Sequence, residues 1–167
     1  MTSLLSPELL AMRGTKASYT APEPLGEAAI RYFALAIGAT SDLYFDAQAA
    51  LQLGYQGIVA PPTLICETNQ FYSNDLNSHG YIGHIWDIEI PNTRLLRGGN
   101  KYQFFQPVHP TDIVSVEIEL SEIFERTSSN GTQMVFLISV ATYTNQTNIE
   151  LARDTETLIL QSVHKNV

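Results

Sequence analysis

The segment Tyr32–Ala50 reads Y-F-A-L-A-I-G-A-T-S-D-L-Y-F-D-A-Q-A-A and contains the features that decide the fold of this chain. Its first residues complete an apolar face with helical spacing that begins at Leu25 and reaches Ile37. Gly38 then ends the helix, because glycine readily adopts the left-handed conformation that closes helices. Asp46 is suited to cap a second, short helix, which we predict to reach Leu53. The face that we expect to be buried on the first helix comprises Leu25, Ala28, Ala29, Tyr32, Phe33, Ala36 and Ile37.

The same segment resembles the signature of the MaoC-like (R)-specific enoyl-thioester hydratases and dehydratases. That signature runs aromatic, apolar, Gly, Asp, any residue, Asn, Pro, apolar, His, five more residues, and then Ala or Ser. The residue types match at Gly38, Leu43 and Ala50, and the spacing between them is kept. The family's catalytic Asp falls on Ala39, however, and its catalytic His falls on Tyr44. The resemblance therefore covers the frame of the signature and omits its acid/base pair.

Three further segments are similar to the N-terminal-type, FAS1-like dehydratase domains of this family. They are A-P-P-T at 60–63, F-Q-P-V-H-P-T-D at 105–112 and T-Y-T-N-Q-T-N at 142–148. The resemblance implies an α+β protein with a single hot-dog fold, in which an antiparallel sheet wraps around a central helix. We assign residues 1–20 to an N-terminal extension and residues 21–167 to the MaoC-like hot-dog domain.

The remaining pattern predicts helices first and an antiparallel sheet afterwards. Ser6 and Pro7 favour a short helix near the N-terminus, with Ser6 as its cap. The central helix is expected from Pro62 to about Asn74. Met134–Val140 is nearly all apolar, which predicts a central strand that is buried on both faces. Turns are predicted at 128–131 and 145–148, and the other strands at Val114–Leu120, Ala152–Gln161, Ile82–Ile90 and Lys101–Phe105.

The chemistry that the resemblance implies needs three kinds of group. A hydratase or dehydratase must handle two protons and must stabilise the thioester oxygen as enolate character develops. Ala39 can carry no proton, and the phenol of Tyr44 is a poor base at neutral pH. Pro61 and Pro62 lack an N–H group, so the N–H of Thr63 is the first candidate backbone donor at the start of the central helix. The residues that the resemblance places around the acyl thioester are Tyr44, Gly57, Val59, Ala60, Pro62 and Thr63.

Several other residues could carry chemistry. Asp42, two residues before Tyr44, could replace the lost carboxylate with Tyr44 as an acid, although a solvated loop carboxylate is the simpler interpretation. His79 and His84 could titrate near neutral pH, but no carboxylate or cysteine cluster accompanies them, so we expect no metal site. Arg94 and the nearby Arg97 could approach a phosphate of the thioester carrier, or could be solvated arginines of an ordinary hairpin.

Composition excludes some classes of protein. The chain has 167 residues, a net charge of −8 and no cluster of lysine and arginine, so nucleic-acid binding has no electrostatic basis. No apolar run is long enough to span a membrane. The one cysteine, Cys66, cannot form an internal disulfide, and we expect it in the core of a cytoplasmic protein. We expect no cofactor.

Three functions fit these observations. The first is the acyl-binding, non-catalytic subunit of a heteromeric dehydratase that acts on 3-hydroxyacyl or 2-enoyl thioesters of CoA or acyl carrier protein. The second is a self-sufficient hydratase, dehydratase or thioesterase with a relocated active site. The third is a module that binds an acyl thioester without turnover. A homodimer, or a heterodimer with an intact MaoC-like subunit, is expected.

Overall fold

The computed structural model describes residues 3–67 and 84–163. Within these ranges the chain forms four helical segments, one 3-10 turn and one sheet. The helices are α1 (Pro7–Ala11), α2 (Glu27–Ala36), α3 (Ala47–Gln52) and α4 (Leu64–Glu67), and the 3-10 turn is Asp42–Tyr44. The strands are β1 (Lys16–Thr20), β2 (Thr93–Phe104), β3 (Ser115–Thr127), β4 (Gln133–Thr144) and β5 (Glu150–Ser162).

The five strands pair antiparallel in the order β1-β3-β4-β5-β2. The two predicted turns are confirmed as the connections β3–β4 and β4–β5. In the first turn Gly131 has a φ of 83°, and in the second Asn148 has a φ of 60°, so both residues adopt the left-handed conformation that tight turns require. The Asn145 side-chain oxygen accepts from the backbone N–H groups of Thr147 at 3.0 Å and Ile149 at 3.1 Å, which fixes the second turn. The α+β class is therefore established.

One face of the sheet, the inner face, supplies most of the core. Alternate residues of β3 and β4 are buried, among them Val116, Leu120, Val135 and Leu137. A bulge between Leu120 and Glu122 shifts the alternation by one residue, so that Ile123 also points into the core. The alternating pattern of Val114–Leu120 thus predicted the buried face correctly as far as the bulge.

The prediction for β4 is correct in position and wrong in burial. The strand is central, but only its inner residues are buried, whereas Met134, Phe136, Ile138 and Val140 on the outer face are half-buried. The apolar composition of this strand therefore exceeds what the described residues cover.

Helix α2 is present where it was predicted, but its buried face differs. Ile30 and Ala34 have no exposed surface, while Tyr32 is 72% exposed and Ile37 is 53% exposed. The N–H groups of Leu25 and Gly26 donate to the carbonyls of Asp112 and Pro110, at 2.9 and 2.8 Å. These contacts fix the start of the helix against the β2–β3 connection and turn Ile30 towards the sheet. Helical spacing alone does not determine that rotation.

The N-terminal residues take part in the sheet. Ser6 caps α1 by accepting from Leu9 N–H at 3.1 Å, which confirms the predicted helix, and Leu9 packs in the core. Lys16–Thr20 forms β1 and pairs with β3 over its whole length. The sheet therefore begins inside the segment that we assigned to an N-terminal extension.

The predicted strand Ile82–Ile90 is wrong over its described part. Residues 84–90 form no strand, and residues 82–83 lie outside the described residues. The segment instead packs across the core. The indole N–H of Trp86 donates to Ser139 Oγ at 2.9 Å, and Ile88 packs against the core cluster that contains Leu120, Val135 and Leu137. Its alternating apolar residues are explained by this contact, because one side of an irregular segment can be buried as well as one side of a strand.

The central helix is described only at its start. Leu64–Glu67 is helical, Leu64 and Ile65 are 1% exposed, and Cys66 is buried in the core as predicted. The continuation to Asn74 and His79 lie outside the described residues. The other predicted strand, Lys101–Phe105, is the end of a longer strand that begins at Thr93. None of the helices in the ranges 3–67 and 84–163 has the length and hydropathy of a membrane span.

Candidate functional site

A pocket of about 300 Å³ lies between the Tyr32–Ala50 segment, the start of the central helix and the ends of two strands. Its walls come from segments that are far apart in the sequence. The described residues that line it are Leu43, Tyr44, Tyr55, Val59, Ala60, Pro62, Ile65, Phe104, Phe105, Gln106, Pro107, Val108, Leu151 and Ala152. Because most of these side chains are apolar or aromatic, the pocket suits an apolar ligand group.

The 3-10 turn Asp42–Tyr44 holds Tyr44 against the pocket. Ser41 begins the turn, with its hydroxyl 3.4 Å from Leu43 N–H and its carbonyl accepting from Tyr44 N–H at 3.2 Å. The carbonyl of Asp42 accepts from the N–H of Asp46 at 2.8 Å, and Asp46 in turn caps α3 through its carboxylate, 2.7 Å from Gln48 N–H. The predicted cap at Asp46 is thereby confirmed.

The opposite wall is tied to the sheet by backbone bonds. Ala60 N–H donates to the carbonyl of Val108 at 2.8 Å, and Phe105 N–H donates to the carbonyl of Leu151 at 2.9 Å. Val59 N–H reaches back to the carbonyl of Leu43 at 3.1 Å, which links this wall to the 3-10 turn. The pocket is therefore held by main-chain contacts between the segments that form it.

The structure places the signature positions in different surroundings. Ala39 follows the C-terminal end of α2 and is half-buried, and its N–H donates to the carbonyl of Ala34 at 2.8 Å. Asp42 is exposed and is not among the lining residues, whereas Tyr44 lines the pocket. The two candidate catalytic residues, Asp42 and Tyr44, are thus two positions apart in the sequence, and of the two only Tyr44 lines the pocket.

The residues named for substrate binding are divided in the same way. Tyr44, Val59, Ala60 and Pro62 line the pocket, and Gly57 and Thr63 are not among the lining residues. Sequence reasoning missed Leu43, Tyr55, Ile65, the Phe104–Val108 stretch and the pair Leu151–Ala152. A signal was present at Phe105–Asp112, which resembles the family at a strand start, but the sequence does not show that β2 ends beside β5 at this point.

The lining has little capacity for proton transfer. No Asp, Glu, His, Lys or Arg is found among the described residues that line it. Its polar side chains are the hydroxyls of Tyr44 and Tyr55 and the amide of Gln106. These groups can donate and accept hydrogen bonds, so the arrangement can orient a carbonyl or hydroxyl group beside an apolar chain.

The other candidate groups lie elsewhere. The guanidinium of Arg94 donates to the Gln161 side chain at 2.6 Å, and Arg97 pairs with Glu156 at 3.0 Å. Both arginines lie in β2 rather than in a hairpin turn. His84 Nδ1 is 2.7 Å from the hydroxyl of Tyr19, and its ring packs edge-on against Trp86. Burial lowers the pKa of His84, and the charge of Asp87 partly opposes that shift.

The chain is similar in sequence to one protein family and to individual proteins of other organisms. Residues 11–153 match the family described as FAS1-like, dehydratase domain region. A UPF0336 protein of Streptomyces coelicolor is 30% identical over 104 residues, which are 62% of this chain and 65% of that protein. The chain thus spans about 65% of the length of this curated relative.

Solved structures share the fold at low sequence identity. The ChsH1–ChsH2 complex of Mycobacterium tuberculosis has a TM-score of 0.70 at 16% identity, covering 96% of this chain and 94% of the matched chain. A MaoC-like dehydratase of Rhodospirillum rubrum has a TM-score of 0.66 at 18% identity, with coverages of 96% and 99%. The HadBC complex of M. tuberculosis, a 3R-hydroxyacyl-ACP dehydratase, has a TM-score of 0.64 at 21% identity, with coverages of 89% and 96%.

The five-stranded antiparallel sheet and these likenesses define a protein of the hot-dog fold, the fold that it shares with the MaoC-like dehydratase of R. rubrum. Within that class, the match over residues 11–153 shows that this chain belongs to the FAS1-like dehydratase domain region family. The expectation of family and fold is confirmed.

Proposed function

We propose that the chain is the acyl-binding, non-catalytic subunit of a heteromeric dehydratase that acts on 3-hydroxyacyl or 2-enoyl thioesters, carried by CoA or acyl carrier protein. The observation that carries this proposal is the pocket at the signature segment. The pocket has a volume of about 300 Å³ and a mostly apolar lining, and no described lining residue is an acid, a histidine or a cation. A lining of this composition suits an apolar chain, and its described residues supply no group for general acid–base catalysis.

The replacement of the family's catalytic Asp and His supports catalysis by a partner subunit rather than by this chain. Ala39 has no ionisable group, and Tyr44 takes the place of the family's histidine. Pro61 and Pro62 also remove two backbone donors immediately before the central helix. Three elements that a hydratase needs are altered together, while the walls that would contain an acyl chain are kept.

The edge of the sheet supports a partner subunit. Strand β2 is at the end of the strand order, so one side of its backbone is unpaired in the described chain. Leu95 is 60% exposed, and Phe104 and Phe105 are each 45% exposed at the same edge. Phe104 and Phe105 also line the pocket, so a subunit that paired with β2 would lie at the mouth of the pocket. HadBC and ChsH1–ChsH2, which share the fold, are complexes of two different chains.

The test is reconstitution with an intact partner. The chain should be co-purified with a MaoC-like subunit encoded beside its gene, and hydration of 2-enoyl-CoA substrates followed by loss of the enoyl-thioester absorbance. We expect the chain alone to be inactive and the mixture to exceed the partner alone by tenfold or more, on the order of 1.4 kcal/mol of transition-state stabilisation. Turnover by the mixture equal to that of the partner alone would contradict the proposal.

A self-sufficient enzyme remains the second candidate, because Tyr44 does line the pocket. Under that alternative, Tyr44→Phe abolishes turnover by the purified chain, and Asp42→Asn reduces it as well. Activity of the isolated chain that neither variant changes would remove both residues from the mechanism. Tight binding of acyl thioesters by the isolated chain, with no turnover in the presence of any MaoC-like partner, would instead support a binding module.

A further inference from the structure

Strand β2, at one edge of the sheet, carries positive charge and no carboxylate. It holds Arg94, Arg97 and Lys101, and none of its residues is Asp or Glu. The whole chain has nine lysines and arginines and a net charge of −8. The edge that one side of β2 leaves unpaired is therefore positive in a protein that is acidic overall.

Two of these cations form no ion pair with the described residues of the chain. Arg97 pairs with Glu156 at 3.0 Å, and that interaction compensates its charge. Arg94 donates only to a neutral group, the side-chain oxygen of Gln161, at 2.9 and 2.6 Å. Lys101 is exposed, and no described carboxylate lies within ion-pair distance of it. Arg94 and Lys101 can therefore contact carboxylates of another molecule.

The inner face of β2 is apolar near both ends of the strand. Leu95 is 60% exposed and lies directly opposite the buried Leu160, and the exposed Phe104 lies directly opposite the buried Ala152. Edge strands that are only protected against aggregation are usually short or polar. The twelve residues of β2 and its exposed apolar side chains are instead typical of a strand that another strand covers.

Pairing between two copies of this chain is disfavoured at both edges of the sheet. Because β2 has no carboxylate, every register of β2 against itself brings together the cations of both copies, and like charges opposite each other destabilise a strand pair. The other edge strand, β1, has Lys16 and no carboxylate, and its pairing with β2 would join copies head to tail. Glu117 and Glu119 lie one strand further in and already contact Lys16, at 2.7 and 3.4 Å.

We propose that β2 pairs with an edge strand of a different protein chain, whose outward side chains include two carboxylates and whose inward side chains are apolar. Arg94 and Lys101 are opposite Gln161 and Thr155, which are six residues apart on β5. The matching carboxylates are therefore about 20 Å apart, or six positions along the partner strand. The inference rests on the proposed function, since it gives the surface chemistry of the subunit that this function requires.

The first test converts the chain into its own complementary partner. In Arg94→Glu/Lys101→Glu both outward cations become carboxylates, and antiparallel pairing with wild type can place position 94 of each chain opposite position 101 of the other. We expect the mixture to form mixed dimers about tenfold or more tightly than either protein pairs with itself, because two cross-strand pairs change from repulsive to attractive. Native mass spectrometry with isotope-labelled wild type distinguishes mixed dimers from self-paired ones.

A single substitution should make β2 complementary to itself. Lys101→Glu keeps the cation of Arg94, so an antiparallel dimer contains two opposite-charge pairs, and we expect this variant to self-associate about tenfold or more tightly than wild type. Sedimentation velocity over a range of concentrations measures the association. Arg13→Glu is the matched control, because it changes the net charge equally at an exposed residue whose Nε contacts only the Ser121 carbonyl, at 3.1 Å. It should associate as wild type does.

The second test uses the MaoC-like subunit encoded beside the gene. Arg94→Glu/Lys101→Glu should bind this subunit about tenfold or more weakly than wild type does. Arg13→Glu/Arg31→Glu has the same net charge away from β2 and should bind as wild type does. Failure of wild type to bind this subunit would count against the proposed function, whereas the mixture of wild type and variant decides the inference about β2 without any substrate or natural partner.

Three outcomes would overturn the inference. If Lys101→Glu associates no more tightly than wild type, charge does not select the strand that covers β2. If folded wild type and Arg94→Glu/Lys101→Glu form no mixed dimers, β2 is a protected edge that no strand covers. If the natural subunit binds wild type and this double variant equally, its contact with β2 is not made by carboxylates. Thermal unfolding of each variant separates changes in association from loss of folding.

Discussion

At the scale of single residues, the structure separates Ala39, Asp42 and Tyr44, which the sequence places within six positions. The 3-10 turn directs Tyr44 to the pocket and leaves Asp42 in solvent. The cause is local: Ser41 and Asp42 supply the carbonyls that close the turn, so neighbouring side chains point in different directions. The identities at 39 and 44 could be read from the sequence, but not their orientations.

His84 provides a prediction about pH dependence. Its pKa is lowered from 6.5 in the folded chain by burial, although the charge of Asp87 partly raises it. The unfolded chain therefore binds a proton at His84 near pH 6.5, whereas the folded chain does so only at lower pH. Stability contributed by the neutral ring is fully present above pH 6.5 and is lost as the pH falls towards the folded pKa.

We expect the free energy of unfolding to decrease between pH 7.5 and 5.5, and to decrease less in His84→Gln. Urea unfolding at several pH values measures both slopes. His109→Gln is the matched control, because the bonds between His109 and Asp112 run through the His109 backbone: its N–H donates to the Asp112 carboxylate at 2.8 Å, and its carbonyl accepts from the Asp112 N–H at 3.0 Å. A His84→Gln variant with the same pH slope as wild type would show that His84 is not responsible.

At the scale of elements, β2 begins at Thr93, eight residues before the strand that we predicted from Lys101. Gly98 and Gly99 interrupt the apolar pattern, and the register shifts between Arg97 and Gly99. Glycine is disfavoured within strands, so the pair indicated a turn. In the sheet it forms a bulge, because long-range pairing with β5 outweighs local preference over twelve residues.

The bulge yields a prediction about packing at Gly98. A Cβ atom at this position would be 2.7 Å from Thr157 Cγ2 and 3.1 Å from the Thr157 carbonyl oxygen. Gly98→Ala should therefore lower the free energy of unfolding by about 1–3 kcal/mol through overpacking. Thr157→Ser removes the contacting methyl group and should recover part of the loss in the double variant. Denaturant unfolding of the two single variants and the double variant measures the coupling, and simple additivity would contradict this explanation.

At the scale of the whole molecule, the pocket is formed by three segments that are distant in the sequence. One lining residue, Gln106, is exposed to solvent. Gln106→Glu adds a negative charge beside an apolar site that is proposed to take an acyl thioester. We expect it to weaken binding of a medium-chain acyl-CoA about five- to tenfold, on the order of 1 kcal/mol.

Gln106→Leu is the control for this charge and should bind within about twofold of wild type or more tightly. Titration calorimetry on the chain or on its complex measures both variants. Equal affinity in wild type and Gln106→Glu, with measurable binding in each, would place the acyl group elsewhere; the absence of binding in all forms would count against the proposed function itself.

The amino-acid sequence by itself determined the helix ends at Gly38 and Asp46, the two turns of the sheet and the alternating strand β3, and it shows Ala39 and Tyr44 where the resemblance expects Asp and His. These features depend on local conformational preference or on residue identity, so no distant contact is needed to read them. It also indicated the surplus of apolar residues in β4, although not what covers them.

Only the tertiary structure decided which face of α2 is buried, that residues 84–90 cross the core without forming a strand, and that Phe104–Val108 and Leu151–Ala152 complete the pocket. Each of these follows from long-range contacts: the bonds of Leu25 and Gly26 to the β2–β3 connection, the bond of Trp86 to Ser139, and the pairing of β2 with β5. Such contacts join residues dozens of positions apart, and local propensity carries no information about them.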